Sequence, residues 1–440
     1  MADASGLAYN HEIPSLNSEL LPASRLLADL DPAAQRQFAV NIIERLRAAN
    51  YQAYWAGGCV RDQLLARTPK DYDVATSALP NEIRALFGHR RTLAIGAAFG
   101  VITVLGERAA GPIEVATFRR DMGYSDGRRP DAVAFSTAEE DAQRRDFTIN
   151  GLFYDPLADQ VLDYVDGQAD LGRRVIRAIG DPFARFQEDK LRLLRAIRFA
   201  AKFDFALEPA TRAAIVAMAP EAPVVSPERI AAELRAMLTH ASRATATRLL
   251  AEVGLLTAIL PEWSADALGD AGGEAIKTLE RLEADASFAL ALAALLGSRV
   301  SSESVAEICR RLRLSNRDID RSTWLVAQRL ALVGAQRQPW PRVQRILTHG
   351  GSAELLELHR AAAVICDEDW RFCQEVLARP RAAWDPAPLI NGDDLLKLGI
   401  PAGKHFQSLL EQVRDAQLEG RVTTCDQALQ LARSLWPPQS

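Results

Sequence analysis

The sequence predicts an α+β fold, with a small mixed-sheet head followed by an all-helical neck, body and tail. Three observations carry this prediction. From about residue 51 to 180, short β-rich runs alternate with turns and short helices. From about 181 onward the alternation of strands disappears, and Ala, Leu, Arg and Glu dominate. The chain has 440 residues, too many for one ordinary core, so roughly two to four packed units are expected.

In chain order, residues 1–28 are polar, contain prolines and read as a loose arm. The head is assigned to 29–180. It opens on Asp31-Pro32, an N-cap candidate followed by proline at the first helical position, with Phe38, Ile42, Ile43 and Leu46 at helical spacing. Its candidate strands are Tyr51–Ala56, Tyr72–Ala75, Val101–Leu105, Ile113–Phe118 and Val161–Tyr164. The neck is assigned to 181–260 and begins with a stretch, Phe186–Phe205, whose periodicity predicts one long helix. The body and tail occupy 261–440, with helices expected at 275–297, 302–313, 316–333, 352–377, 403–417 and 425–436. Prolines and glycines mark the breaks between them.

Composition narrows the function classes. Hydrophobic residues make up 48% and charged residues 25% of the chain, the profile of a soluble globular protein. The formal charge is −5, so any nucleic-acid contact must come from local basic patches rather than bulk charge. No apolar run approaches the ~18 residues of a membrane span, and no signal peptide is apparent, so no membrane partner is expected. The five cysteines are odd in number and form no CxxC pair, which fits a reducing cytoplasm. None of the six histidines precedes an aspartate, so no HD-type phosphohydrolase is visible.

The chemistry begins at Trp55-Ala-Gly-Gly-Cys-Val-Arg-Asp62, an apolar strand running into a Gly57-Gly58 turn and a helix start. Two glycines let backbone N–H groups approach a phosphate without Cβ obstruction, and the helix start and Arg61 add positive potential. Lys70-Asp-Tyr-Asp-Val74 follows. On a strand, residues i and i+2 face the same way, so Asp71 and Asp73 would stand side by side. Two such carboxylates repel unless a cation lies between them. Mg²⁺ is the natural occupant, held by one or two carboxylates plus substrate phosphates. Glu114, on a later candidate strand, is either a third catalytic carboxylate aimed at the same point or a strand-surface charge.

With these residues in view, the chain resembles the class II CCA-adding tRNA nucleotidyltransferase and bacterial poly(A) polymerase family, within the polymerase-β-like superfamily. The matching stretches run in order from Gly57-Gly-Cys-Val-Arg-Asp62 and Asp71-Tyr-Asp73 to Asp126-Gly-Arg-Arg-Pro130 and Arg144-Arg-Asp-Phe-Thr-Ile-Asn150. Glu188-Asp-Lys-Leu-Arg192 and Ser226-Pro-Glu-Arg-Ile-Ala-Ala-Glu-Leu234 complete the series, over about 50–240. The resemblance implies a nucleotidyltransferase head. It makes Asp71 and Asp73 the Mg²⁺ ligands and places Gly57, Gly58, Arg61 and Arg145 on the nucleotide phosphates. It gives Asp146 and Asn150 the ribose. It also implies that Glu188, Asp189, Arg192, Arg195 and Arg198 bind the nucleotide, with Asp189 and Arg192 reading the base.

Hydrogen-bond chemistry supports a base-reading role for an Asp–Arg pair. Cytosine and adenine each present an exocyclic amine beside an unprotonated ring nitrogen; a carboxylate accepts from the first and a guanidinium donates to the second. Uracil and guanine reverse both roles, which corresponds to roughly 10²–10³-fold rejection. The function implied is template-independent addition of C, C and A to the 3′ end of tRNA from CTP and ATP, releasing pyrophosphate. The alternative is a poly(A) polymerase or A-adding enzyme on RNA 3′ ends. The basic stretch Phe118–Pro130 resembles the loop that full C-C-A adders possess. The helical body is expected to hold the tRNA. The chain departs from the family pattern at Phe99-Gly100, where many members have His-Gly, and at Asn150-Gly151, where many have Asn-Ala.

Overall fold

The structure is a computed structural model that describes residues 30–122, 132–263, 270–297 and 299–436. The arm at 1–28 and residues 123–131 of the basic stretch lie outside the described residues. Contacts divide the chain into two compact units that meet in sequence at Arg173 and Arg174.

The first unit opens with helix α1 (Pro32–Ala48), where the Asp31 side chain accepts from Ala33 N–H and proline occupies the first turn. Strand β1 (Ala53–Ala56) leads into α2 (Gly58–Leu64), then β2 (Val74–Thr76), α3 (Pro80–Phe87), β3 (Thr92–Leu93), β4 (Val101–Leu105) and β5 (Pro112–Thr117). The hairpin β6 (Arg119–Met122) and β7 (Ala132–Phe135) precedes α4 (Ala138–Gln143), β8 (Phe153–Asp155), β9 (Gln160–Leu162) and α5 (Gly167–Arg173). Seven strands form one sheet in the order β3-β4-β5-β2-β1-β8-β9. β2 and β5 run parallel while every other neighbouring pair is antiparallel, so the expected mixed sheet is present.

Period-2 alternation explains why the sheet has two apolar faces. Ala53 and Trp55 are buried on one side of β1, and Trp55 packs against Tyr72 and Tyr154 at 4.8 and 5.4 Å between ring centroids. Ala56, with Tyr54 partly buried beside it, belongs to a second cluster with Phe118, Phe153, Ala138 and Ala142. Ala138 and Ala142, at i and i+4, are the apolar stripe that seats the short helix α4.

The second unit begins with β10 (Val175–Ile176), followed by α6 (Pro182–Glu188), α7 (Leu191–Phe203), β11 (Ala206–Leu207), α8 (Pro209–Met218), α9 (Pro227–Leu238) and α10 (Arg243–Glu252). The parallel β10–β11 pair lies partly in the region expected to be all helical. Helices then follow one another to Cys425–Leu435. Arg243, about 1% exposed, donates to the carbonyls of Leu238, Leu282 and Ala284 at 3.0–3.1 Å. This satisfies helix-end acceptors that burial would otherwise leave orphaned. Near the end of the chain, Ile390, Leu395, Leu409, Val413 and Ala428 form a core of their own.

Three expected helices prove to be pairs. The stretch Phe186–Phe205 breaks at Asp189, whose φ and ψ of −149° and 105° are extended and end α6. The segment 275–297 divides into Asp270–Arg281 and Phe288–Leu296, the latter capped by the Ser287 side chain on Leu290 N–H. The segment 352–377 divides at Ala363, whose φ of 54° is left-handed. In each case an N-cap that starts a new helix, or a single residue's dihedral, interrupts a helix that the apolar periodicity continues through.

Candidate active site

The first unit gathers the candidate carboxylates and the candidate phosphate-binding residues around β1, β2 and β5. Asp71 and Asp73 lie just before β2 rather than on it, because the strand starts at Val74. The alternation nevertheless persists. Tyr72 is buried against Trp55, while Asp71 and Asp73 are both exposed. The backbone of Asp73 is fixed by Ala56 N–H, which donates to its carbonyl at 3.0 Å. β2 pairs with β5 in the register Val74–Val115, so the residues preceding each partner, Asp73 and Glu114, are neighbours across the ladder.

The electrostatics follow from this placement. Burial first, then the charges of Asp71 and Glu114, raise the Asp73 carboxyl to about 6, and Arg145 opposes them. Asp73 keeps water-accessible surface and yet is crowded by protein, as a group on the wall of a cleft would be. Glu114 therefore acts on Asp73 through its charge. Among the described residues, no three His, Cys, Asp or Glu side chains are close enough to cage a metal ion. Two hard oxygen donors with open positions suit Mg²⁺, which keeps waters and takes substrate phosphates as its remaining ligands. Cys59, below this site, is buried; its thiol is pushed up to about 12, first by burial and then by Asp73, so it supplies no thiolate.

Gly57 has φ of 72° and ψ of −120°, a conformation essentially restricted to glycine. A Cβ there would meet the Arg145 guanidinium at 2.8 Å. Arg145 is held against this turn by Asp141, which accepts from its Nε and Nη2 at 3.2 and 3.0 Å, and its guanidinium lies 5.1 Å from the Phe153 ring centroid. Arg61 is buried, donating to Asn150 Oδ1 at 2.5 Å and to Asp62 at 2.7–2.8 Å. Asn150 Nδ2 donates in turn to Asp146 Oδ1 at 3.0 Å, and that oxygen also accepts from Phe147 N–H. Asp71, Asp73, Glu114, Gly57, Gly58, Arg61, Arg145, Asp146 and Asn150 thus belong to one neighbourhood of the first unit.

The second unit holds the remaining candidates. Glu188 ends α6 and accepts from Arg185 at 2.9 Å and from Arg192 at 2.6 Å. Arg192 also donates to the Arg185 carbonyl at 2.8 Å. Arg192 N–H donates to the Asp189 carbonyl at 3.0 Å, and the two side chains also bond other residues. Asp189 accepts from both terminal nitrogens of Arg229 at 3.1 and 2.7 Å, a bidentate pair, and its Oδ1 also accepts from Leu191 N–H at 3.0 Å. Arg195 and Arg198 follow at three-residue intervals on α7 and lie over the Phe199 ring. Arg198 donates to Glu233 of α9 at 2.6 Å.

Sequence reasoning missed Asp62, Asp141, Arg229 and Glu233. Asp141 had a detectable signal, an acid between two alanines at helical spacing. Arg229 and Glu233 stand in the quoted stretch Ser226–Leu234, but nothing in that stretch says which residues they pair with.

Comparisons with known proteins bear on the family and the fold. A family profile described as the "Poly A polymerase head domain" matches residues 53–177, and one described as the "Probable RNA and SrmB- binding site of polymerase A" matches 204–266. The CCA-adding enzyme of Geobacillus thermodenitrificans is 43% identical over 222 residues, covering 50% of this chain and 54% of that one. For this relative the alignment thus spans about half the length. The CCA-adding enzyme of Geobacillus kaustophilus is 34% identical over 394 residues, 87% of this chain and 93% of that one. The crystal structure of the Bacillus stearothermophilus CCA-adding enzyme in complex with CTP matches with a TM-score of 0.71 at 27% identity, covering 91% of this chain and 98% of that one.

Proposed function

We propose that this chain, which belongs to the CCA-adding enzyme family, adds C, C and A to the 3′ end of tRNA from CTP and ATP without a template and releases pyrophosphate. The observation that carries the reading is the open acidic pair Asp71 and Asp73, beside Glu114, on the same sheet as the Gly57 turn against which Arg145 is held. In this reading Asp71 and Asp73 hold a divalent cation, Mg²⁺. Such an ion, when bound, lowers the pKa of an attacking hydroxyl and neutralises charge on the leaving pyrophosphate. Arg61 and Arg145 bind the triphosphate, and the Gly57-Gly58 backbone lets it approach. Asp146 and Asn150 orient the ribose.

Asp189 and Arg192 read the base. The bidentate bond from Arg229 fixes the plane of the Asp189 carboxylate, whose Oδ2, bonded by one nitrogen of Arg229, retains further acceptor capacity for an exocyclic amine. Glu188 and the Arg185 carbonyl fix the guanidinium of Arg192. The helical unit receives the tRNA through phosphate contacts. All five thiols are free, which fits a reducing cytoplasm, where we place the protein.

A second reading, poly(A) addition, draws on the profile that matches the head. One assay separates the two. Purified protein is given tRNA lacking its 3′ end, with CTP and ATP supplied singly and together. Addition of C, C and then A supports the first reading; long tails from ATP with CTP ignored support the second. Asp71→Ala and Asp73→Ala are each expected to lower the extension rate by at least ~10²-fold. Retention of full rate by both would remove the acidic pair from the mechanism.

A further inference from the structure

We infer that Asp141 is a positioning residue, which sets the nucleotide affinity of the head by holding the Arg145 guanidinium over the Gly57 turn. The inference rests on the reading of Arg145 as a phosphate-binding residue. Asp141 is on α4, in the same turn as Ala138 and Ala142, which seat that helix in the apolar cluster with Phe118 and Phe153. The packing of the helix therefore carries the carboxylate inward, and the residue is about 1% exposed. A buried carboxylate needs partners, and Asp141 has three.

Its Oδ2 accepts from Arg145 Nε and Nη2 at 3.2 and 3.0 Å. Its Oδ1 accepts from Arg144 Nε at 2.9 Å and from the backbone N–H of Arg119 at 3.2 Å. The two oxygens thus divide the work. One is given wholly to Arg145; the other joins α4 to the first residue of β6.

The consequence for Arg145 is geometric. Two of its nitrogens are occupied by Asp141, and its Nη1 donates to the Asn150 carbonyl at 3.4 Å. The same Nη1 is the atom that a Cβ at Gly57 would meet at 2.8 Å. The guanidinium is therefore fixed in place, from the carboxylate side by Asp141 and from the turn side by backbone. Long arginine side chains lose rotamer freedom when they bind an anion, and a guanidinium already held in one orientation loses less. Asp141 supplies that preorganisation and does not itself touch the nucleotide.

Asp141→Asn keeps the shape of the side chain and removes its charge. The expected result is a rise of about tenfold or more in the KM for CTP and for ATP, with a smaller change in kcat. Melting temperature is measured in parallel, because the variant leaves two arginines facing a neutral amide. A double-mutant cycle with Arg145→Ala identifies the route of the effect. If Asp141 acts through Arg145, Asp141→Asn has little further effect on KM in the Arg145→Ala background, although it still lowers the melting temperature there. Equal KM effects in both backgrounds would overturn the inference and leave Asp141 a stabilising residue only. If Arg145→Ala alone leaves KM unchanged, the phosphate-binding reading fails instead. Should Asp141→Asn not fold, Asp141→Glu serves in its place. It keeps the charge and, being one methylene longer, pushes the guanidinium toward Gly57, so KM is expected to rise while the melting temperature is retained. An Asp141→Glu variant with parental KM would equally overturn the inference.

Discussion

At the scale of single residues, the site depends on conformations and charges that only a few side chains tolerate. Gly57 is the clearest case, because its φ of 72° strains any other residue and a Cβ there would push against the Arg145 guanidinium. Gly57→Ala is expected to cost about 1–3 kcal/mol of stability through backbone strain. It should also raise the KM for both nucleotides by displacing Arg145. Denaturant unfolding and steady-state kinetics on one preparation would test the two effects together, and a variant with parental values of both would refute the claim. Gly57-Gly58 and the Asp71/Asp73 pair were legible in the sequence because their residue types and spacing are themselves the signal. The elevated carboxyl of Asp73 was legible only in outline. Repulsion from Asp71 follows from their spacing, but the larger contribution is burial, and Glu114 reaches Asp73 only through the β2–β5 register.

At the scale of elements, the break between α6 and α7 departs furthest from the pattern of the sequence. Apolar periodicity runs through 186–205 without a gap, whereas Asp189 leaves helical geometry and its carboxylate turns to accept from Leu191 N–H and Arg229. The break therefore frees the Asp189 side chain from the surface of a continuous helix, and α9 supplies the partner that orients it. Arg229→Ala would leave Asp189 partly buried without its bidentate partner, a loss of about 1–3 kcal/mol. In the proposed base-reading role, it should also weaken discrimination against UTP and GTP more than it lowers the rate with CTP. Extension assays with each of the four nucleotides separately would measure this; unchanged discrimination would detach Arg229 from base reading. Strands β4 and β5 fell close to their expected bounds because their alternation is long enough to detect. Strands β3 and β8, of two and three residues, carry too few residues for a period to show.

At the scale of the whole molecule, a chain of formal charge −5 is proposed to hold a polyanion. The attraction must then come from local arginines while the remainder of the surface repels. Binding of this kind releases counterions, so the KM for tRNA is expected to rise steeply between 50 and 200 mM salt, by at least ~10-fold. The KM for CTP, which offers fewer phosphates, should rise much less. Titration of both at fixed pH would check this, and parallel salt responses would remove the phosphate-contact reading of the helical unit. The sequence by itself determined the class of fold, the order of head and helices, and the residue types proposed to bind a nucleotide. These depend on local periodicity, on turn chemistry and on motifs a few residues long. Only the tertiary structure decided the partners. Asp189 with Arg229, Arg192 with Glu188, Arg145 with Asp141 and Asp73 beside Glu114 are pairings whose choice depends on how elements pack. A charge in a sequence shows that a partner is needed, but burial and register determine which residue provides it.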